Sequence, residues 1–234
     1  MRSFDAVFFD LDGTLADTAP DLAAAANRLV IEHGRPPVAY EKLRPVASHG
    51  ARGLIGAAFG KSPSDPEFPA LRDTFLAYYE ADIAVHTRLF DGMAEVLDAL
   101  ETAGIRWGIV TNKVTRFTAP LVAAIGLAPR AAAVVSGDTT AHAKPHPAPL
   151  LHAADVSGVP PGRCVYVGDD LRDIQAGKAA GMLTITAAYG YCGDGEPPEA
   201  WGADYLVRHP SELIALLTPA GQHWQRGTEE AANT

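Results

Sequence analysis

The chain has 234 residues, 47% of them hydrophobic, enough for one sizeable core or for one domain carrying an inserted one. A net charge of −9, a pI near 5.3 and the lack of any Lys/Arg-rich run exclude non-specific binding to nucleic acid or to anionic membranes, so a phosphate would need a local cation or metal here. A strand pattern begins within four residues, leaving no room for a signal peptide, and no apolar stretch reaches the length of a membrane span; a cytoplasmic location is expected.

The first element is the apolar run "AVFFD" over 6–10, which leads directly into Leu11, Asp12, Gly13 and Thr14. Carboxylates at the end of a buried strand are costly unless they are paired or bind a cation. From about Asp17 to Val85 no strand pattern follows. Helices are expected there over 20–33, 40–48, 50–59 and 67–84, separated by "GRPP" and "GKSPSDPEFP". This segment reads as a small helical domain inserted after the first strand.

Alternation starts near Phe90. "GMAEVLDALETAG" sets Met93, Val96, Leu97 and Leu100 on one helical stripe and stops at Gly104. Strands are expected in "IRWGIVT" (105–111), "AAAVVSG" (131–137), "RCVYVGD" (163–169) and "LTITAA" (183–188), with "DYLVR" (204–208) a weaker sixth. The helix "DDLRDIQAGKAAG" ends at Gly181. Continuous rather than alternating apolar character marks strands covered on both faces, hence a parallel sheet. Strand–helix alternation then gives an α/β class, an open doubly wound sheet. The expected division is a core over 1–16 and 86–217, the helical insertion over 17–85, and an aperiodic, frayed tail over 218–234. Cys164 and Cys192 have no metal or redox spacing and read as reduced thiols. His86, His142, His146 and His152 are scattered and read as surface or capping residues.

Ligands of open α/β sheets bind beyond the carboxyl ends of the strands. The polar residues expected there are Asp10 and Asp12; Thr111 and Asn112; Lys144; and Asp169, Asp170 and Asp173. Each has an ordinary explanation alone. Asp-x-Asp-Gly-Thr can close a strand as an Asx-turn, Thr-Asn can cap a helix, a lysine near prolines can be solvated, and acids suit a helix's first turn. Together they repel one another unless a cation is present. Hard oxygen ligands suit Mg²⁺, a metal so held suits a phosphate, and Lys144 and Thr111 are fitting donors to that phosphate.

The ordered set D10-L-D12-G-T, T111-N-K, K144-P-H-P and G168-D169-D170-x-x-D173 resembles the phosphatases of the haloacid dehalogenase superfamily, across about 1–217. The resemblance implies a Rossmann-like parallel sheet core with an inserted all-helical cap domain. It implies that Asp10 forms an aspartyl-phosphate and that Asp12 protonates the departing oxygen and then activates water. Asp10, the Asp12 main-chain carbonyl and Asp169 would hold Mg²⁺, with Asp173 supporting through water. Thr111 and Lys144 would bind the phosphoryl oxygens, with Asn112 beside them, and the role of Asp170 stays open.

The cap would supply a closed, less polar environment and would select the leaving group. In its loop "SHGARG" (48–53), His49 and Arg52 are the candidate substrate contacts, Arg52 as a clamp on a carboxylate or simply as an exposed helix-start residue. "DTAPDL", "VTNK", "KPHPAPLL", "RDIQAGKAAG" and "YGY" are similar to phosphoglycolate phosphatases, the first reading. The same stretches with "HGARGLI", "LFDGM" and "WGAD" are similar to N-acetylmuramic acid 6-phosphate phosphatases, the alternative. A sugar phosphomutase, which would keep every core motif, ranks lower, and a non-catalytic phosphate-binding module lower still, since Asp10, Asp12 and Lys144 are all present. The expected partner is a small phosphorylated metabolite bearing a carboxylate, handled by a monomer or dimer.

Overall fold

The computed structural model describes residues 4–193 and 195–218. In chain order it runs β1 (Ala6–Phe9), β2 (Ala16–Asp17), α1 (Ala19–Glu32), α2 (Tyr40–Leu43), α3 (Gly50–Phe59), α4 (Phe68–Ala81) and β3 (Arg88–Leu89). It continues through α5 (Met93–Thr102), β4 (Arg106–Val110), α6 (Thr115–Ala124), β5 (Val134–Val135) and α7 (Ala148–Val156). It closes with β6 (Cys164–Gly168), α8 (Leu171–Ala179), β7 (Leu183–Ala187), β8 (Tyr205–Val207) and α9 (Glu212–Leu217).

Six strands form one parallel sheet in the order β5-β4-β1-β6-β7-β8. Successive side chains of a strand point to opposite faces, and both faces here are covered. Val7 and Phe9 of β1 join Trp107, Ile109, Leu97 and Leu121 in one core, whereas Ala6 and Phe8 join Tyr166, Leu150 and Ala176 in another. That is why the strands read as unbroken apolar runs.

The helices of the insertion make a third cluster, in which Leu29, Leu43, Leu54, Ile55, Phe75 and Tyr79 are all buried. Phe117 of α6 and Tyr191 join it from the other side, so the insertion packs onto the sheet domain through aromatic residues. The expected helix over 40–48 is in fact α2 followed by a 3₁₀ segment over Arg44–His49. Pro45 explains the change, because it lacks the N–H that a continuing α-helix requires. The strand expected over 131–137 shrinks to β5, two residues long.

One feature had no periodic signal. β2 and β3 pair antiparallel, Ala16 with Leu89 and Asp17 with Arg88, and tie the two crossings into the insertion side by side. Asp21, buried at the start of α1, locks this ribbon: its carboxylate accepts from His86 N (2.9 Å), Thr87 N (2.8 Å) and the Thr87 hydroxyl (2.7 Å). Of the tail over 218–234, only Thr218 lies within the described residues.

Replacing Asp21 by Asn turns an amide toward three donors that want an acceptor. Urea unfolding should show a loss of about 1–3 kcal/mol, the cost of an unsatisfied buried group. A stability equal to that of the parent would mean that the ribbon does not depend on this carboxylate.

Candidate active site

β1 lies between β4 and β6, so the chain winds away from it in both directions and leaves a crevice at the carboxyl ends of the strands. Asp10 follows β1, Thr111 follows β4 and Asp169 follows β6. Asp10, Asp12, Thr111, Lys144 and Asp173 all line one cavity of about 360 Å³. The four sequence clusters do converge.

Lys144 is the hub. Its ammonium lies 2.9 Å from Asp10 Oδ1 and 2.7 Å from Asp173 Oδ1, and it also bonds Val110 O (2.9 Å) and the Tyr166 hydroxyl (2.8 Å). The Tyr166 hydroxyl in turn donates to Val110 O at 2.8 Å. Asn112 sets the lysine in place: its Oδ1 accepts from Lys144 N and its Nδ2 donates to Lys144 O, both at 2.9 Å. Asn112 lines the cavity as well, with its amide engaged on the lysine backbone. Thr111 stays in the cavity wall, with Oγ1 accepting from Lys113 N at 3.2 Å.

Asp12 has a different set of neighbours. Its Oδ1 accepts from the Thr18 hydroxyl (2.5 Å) and lies 3.0 Å from the Lys113 ammonium, which also bonds the Tyr79 hydroxyl of α4 at 3.1 Å. Burial alone would lower the Lys113 pKa, but Asp12 and Tyr79 beside it carry it above the ordinary lysine value. The Tyr191 hydroxyl accepts from Thr18 N and Ala19 N at the start of α1, 2.8 Å each, which leaves the Thr18 hydroxyl to Asp12. Tyr79 and Tyr166 carried no motif, and Lys113 and Thr18 lie inside the quoted stretches T111-N-K and DTAPDL without a role assigned to them. Their one signal is chemical: a buried tyrosine hydroxyl or lysine needs a polar partner.

Asp169 is buried, with Oδ1 accepting from the Thr14 hydroxyl (2.9 Å) and Oδ2 from Tyr191 N (2.9 Å). Gly13 packs against it at φ +85°, and a Cβ there would stand 2.1 Å from Asp169 Oδ2. Asp10, Asp169 and Asp173 each offer an oxygen within 4.8 Å of the others, a donor set that can hold a metal ion. Charge points the same way. Asp10, Asp12, Asp170 and Asp173 in the cavity wall, with Asp169 behind, outnumber Lys113, Lys144 and Arg172 by two. Burial, opposed by Lys144 and reinforced by Asp173 and Asp12, lifts the Asp10 pKa from 3.8 to about 7. Burial and then the charges of Asp10 and Asp173 lift that of Asp169 well above the carboxylate range. A divalent cation fits this oxygen-rich, undercompensated site.

The insertion supplies the opposite wall: Leu22, Phe75, Leu76 and Tyr79, with the loop Ala47–Ala51. His49 lines the cavity and lies 3.7 Å from Asp170 Oδ2. Arg52 does not line it. Helix α3 buries Leu54, Ile55 and Ala58, and Arg52 falls outside that stripe, exposed. The guanidinium in the cavity is that of Arg172, forked onto Asp170 through Nε (2.8 Å) and Nη2 (2.7 Å). Asp170 also accepts from Arg172 N, and Asp173 accepts from Asp170 N, a reciprocal cap on α8. His86, His142, His146 and His152 are exposed and lie outside the cavity wall.

Fold and site together define a doubly wound α/β enzyme with a lysine-braced carboxylate centre at its switch point. The sequence profile of the haloacid dehalogenase-like hydrolases matches residues 4–181, and the chain belongs to that family. It is 46% identical over 215 residues to the N-acetylmuramic acid 6-phosphate phosphatase of Pseudomonas aeruginosa, covering 92% of this chain and 95% of that one. It is also 46% identical over 213 residues to the phosphoglycolate phosphatase of Xanthomonas campestris, covering 91% and 96%. A crystal structure of a predicted phosphoglycolate phosphatase from Haemophilus somnus superposes with a TM-score of 0.80 at 28% identity, covering 91% and 97%.

Two outcomes follow from this geometry. Gly13→Ala should lower the melting temperature and abolish activity, because an ordinary side chain meets both a positive φ and the Asp169 carboxylate; a fully active Gly13→Ala enzyme would refute the close approach. The second concerns pH. The folded chain holds the Asp10 proton more tightly than the unfolded one, so this group's contribution to stability falls as pH rises from about 3.8 to about 7. In EDTA, the stability of the parent relative to Asp10→Asn should therefore decline across that window, and Mg²⁺ should reverse the decline at neutral pH. A difference independent of pH and of Mg²⁺ would contradict the assignment.

Proposed function

We propose that the protein is a Mg²⁺-dependent phosphomonoesterase that works through an aspartyl-phosphate on Asp10. The observation that carries this reading is the division of labour between two carboxylates. Asp10 is braced by Lys144 through Oδ1, and its Oδ2 accepts no hydrogen bond from the described residues. Asp12 faces Lys113 and Thr18 instead. One oxygen is thus open to attack phosphorus, and a separate carboxyl handles protons.

In the first half-reaction an Asp10 oxygen bonds to phosphorus and the P–O ester bond breaks, while Asp12 gives its proton to the leaving alcohol. In the second, Asp12 takes a proton from water and the water oxygen attacks phosphorus. The Asp10–phosphorus bond breaks, releasing inorganic phosphate and restoring both carboxyls. Thr111 and Lys144 stabilise charge on the phosphoryl oxygens throughout. Asp10, Asp169 and the Asp12 main-chain carbonyl, with Asp173 behind, would hold Mg²⁺, which when bound supplies positive charge opposite the phosphoryl group.

The helical segment over 17–85 acts as a cap on the core over 1–16 and 86–217, excluding water and choosing the ester. The cavity supports a choice between the two substrates that relatives carry in their names. About 360 Å³ lies in the range of sites for ligands of roughly 300–1,000 Å³, more than a two-carbon acid phosphate fills. Its apolar side, from Leu22, Phe75, Leu76 and Phe117, suits the carbon face of a sugar and an acetyl methyl. N-acetylmuramic acid 6-phosphate is therefore the substrate we favour. Phosphoglycolate is the second reading, supported by relatives of equal identity. A cytoplasmic setting suits the two free cysteines, and among the described residues no helix is long and apolar enough to cross a membrane.

Phosphate release from both esters, with Mg²⁺ and with EDTA, tests the proposal. The sugar phosphate should have the higher kcat/KM, EDTA should stop turnover, and Asp10→Asn should lower kcat by about 10,000-fold or more. Higher kcat/KM for phosphoglycolate would reverse the choice of substrate. Undiminished turnover by Asp10→Asn would overturn the mechanism.

A further inference from the structure

Three cations line the cavity, and two are committed. Lys144 is buried and bonded to Asp10, Asp173, Tyr166 and Val110; Lys113 is shared between Asp12 and Tyr79. Arg172 differs. Its Nε and Nη2 hold Asp170, Nη2 reaches Ser48 O across the cavity at 3.3 Å, and Nη1 makes no hydrogen bond among the described residues. Its side chain is 30% exposed, and it sits in the cavity wall. Beside it, the Ser48 hydroxyl is buried and has no hydrogen-bond partner among the described residues.

Guanidinium groups bind carboxylates with short, charge-assisted hydrogen bonds, and a rigidly held one loses little freedom in doing so. The Asp170 fork and the α8 cap hold Arg172 in that way. We propose that Arg172 is the specificity-determining residue that binds the carboxylate of the leaving group, with the Ser48 hydroxyl as a second donor from the cap. This deepens the phosphatase reading above and rests on it. It places in the first turn of a core helix the carboxylate clamp that is one of the two sequence readings of Arg52. It also gives Asp170 a role, that of orienting the arginine.

The test compares esters that differ in the carboxylate: N-acetylmuramic acid 6-phosphate beside N-acetylglucosamine 6-phosphate, and phosphoglycolate beside 2-hydroxyethyl phosphate. Parent, Arg172→Gln and Arg172→Lys enzymes are assayed with Mg²⁺. In the pair the parent hydrolyses better, the ratio of kcat/KM with the carboxylate to that without should fall about 10- to 100-fold in Arg172→Gln, the scale of a lost hydrogen bond to a charged group. The loss should lie mainly in KM, and Arg172→Lys should recover part of it. If both esters of that pair decline together, so that the ratio holds, Arg172 is structural and the assignment falls. A parent enzyme with no preference for either carboxylate-bearing ester overturns the substrate reading along with the assignment, whereas a preference that survives in Arg172→Gln overturns the assignment alone.

Discussion

The structure depends on holding acidic groups together at the ends of β1 and β6. Asp10, Asp169 and Asp173 crowd within a few ångströms, and like charges at that distance raise one another's pKa or must be neutralised. Lys144 answers part of that demand, buried between Asp10 and Asp173. Removing one partner of such a pair is far more costly than the pair's net contribution, because a buried charge is left uncompensated. The lysine is accordingly fixed from several directions: by the Asn112 amide on its backbone, and by Tyr166 and Val110 on its ammonium. The remaining deficit, seen in the raised pKa values of Asp10 and Asp169, is the physical basis for a divalent cation.

The sheet order makes this crowding possible. Consecutive strands on either side of β1 deliver their carboxyl ends to one edge, so residues more than a hundred positions apart become neighbours with no long-range search by side chains. Backbone detail then sets the distances. Gly13 lets the turn after β1 approach Asp169, and Gly168 passes Asp173 so closely that a Cβ would stand 2.3 Å from its carboxyl carbon. Substituting either glycine moves a carboxylate.

Much of this was readable from the sequence, and for a physical reason. Strands buried on both faces and helices with one apolar stripe leave strong periodic marks, and acids at strand ends are conspicuous because they are costly there. What stayed hidden lacked a period. The β2–β3 ribbon has two residues per strand, too few to alternate. Lys113 and Arg172 lie inside quoted stretches that gave them no role, and only the packing of the insertion turns them into cavity wall. Arg52 shows the converse: the right residue type in the right loop, yet on the exposed side of α3.

The contacts between the insertion and the core are of two kinds, and the difference bears on how the site works. Phe117 docks the helices through apolar area, which is non-directional and tolerates sliding, whereas Tyr191 adds hydroxyl bonds to Thr18 N and Ala19 N. Lys113 to Tyr79 and Arg172 to Ser48 O are hydrogen bonds from cations that also face the cavity, and they hold only at defined distances. A displacement of the insertion that lengthened these two distances would break both bonds. Lys113 would then keep Asp12 alone, and Arg172 would keep Asp170 alone. Arg44 to Tyr189 O and Gly190 O and the Arg116–Glu80 ion pair also join the insertion to the core, but only Lys113 and Arg172 both hold the insertion and face the cavity, so its packing and the charge pattern of the cavity wall are coupled through these two side chains.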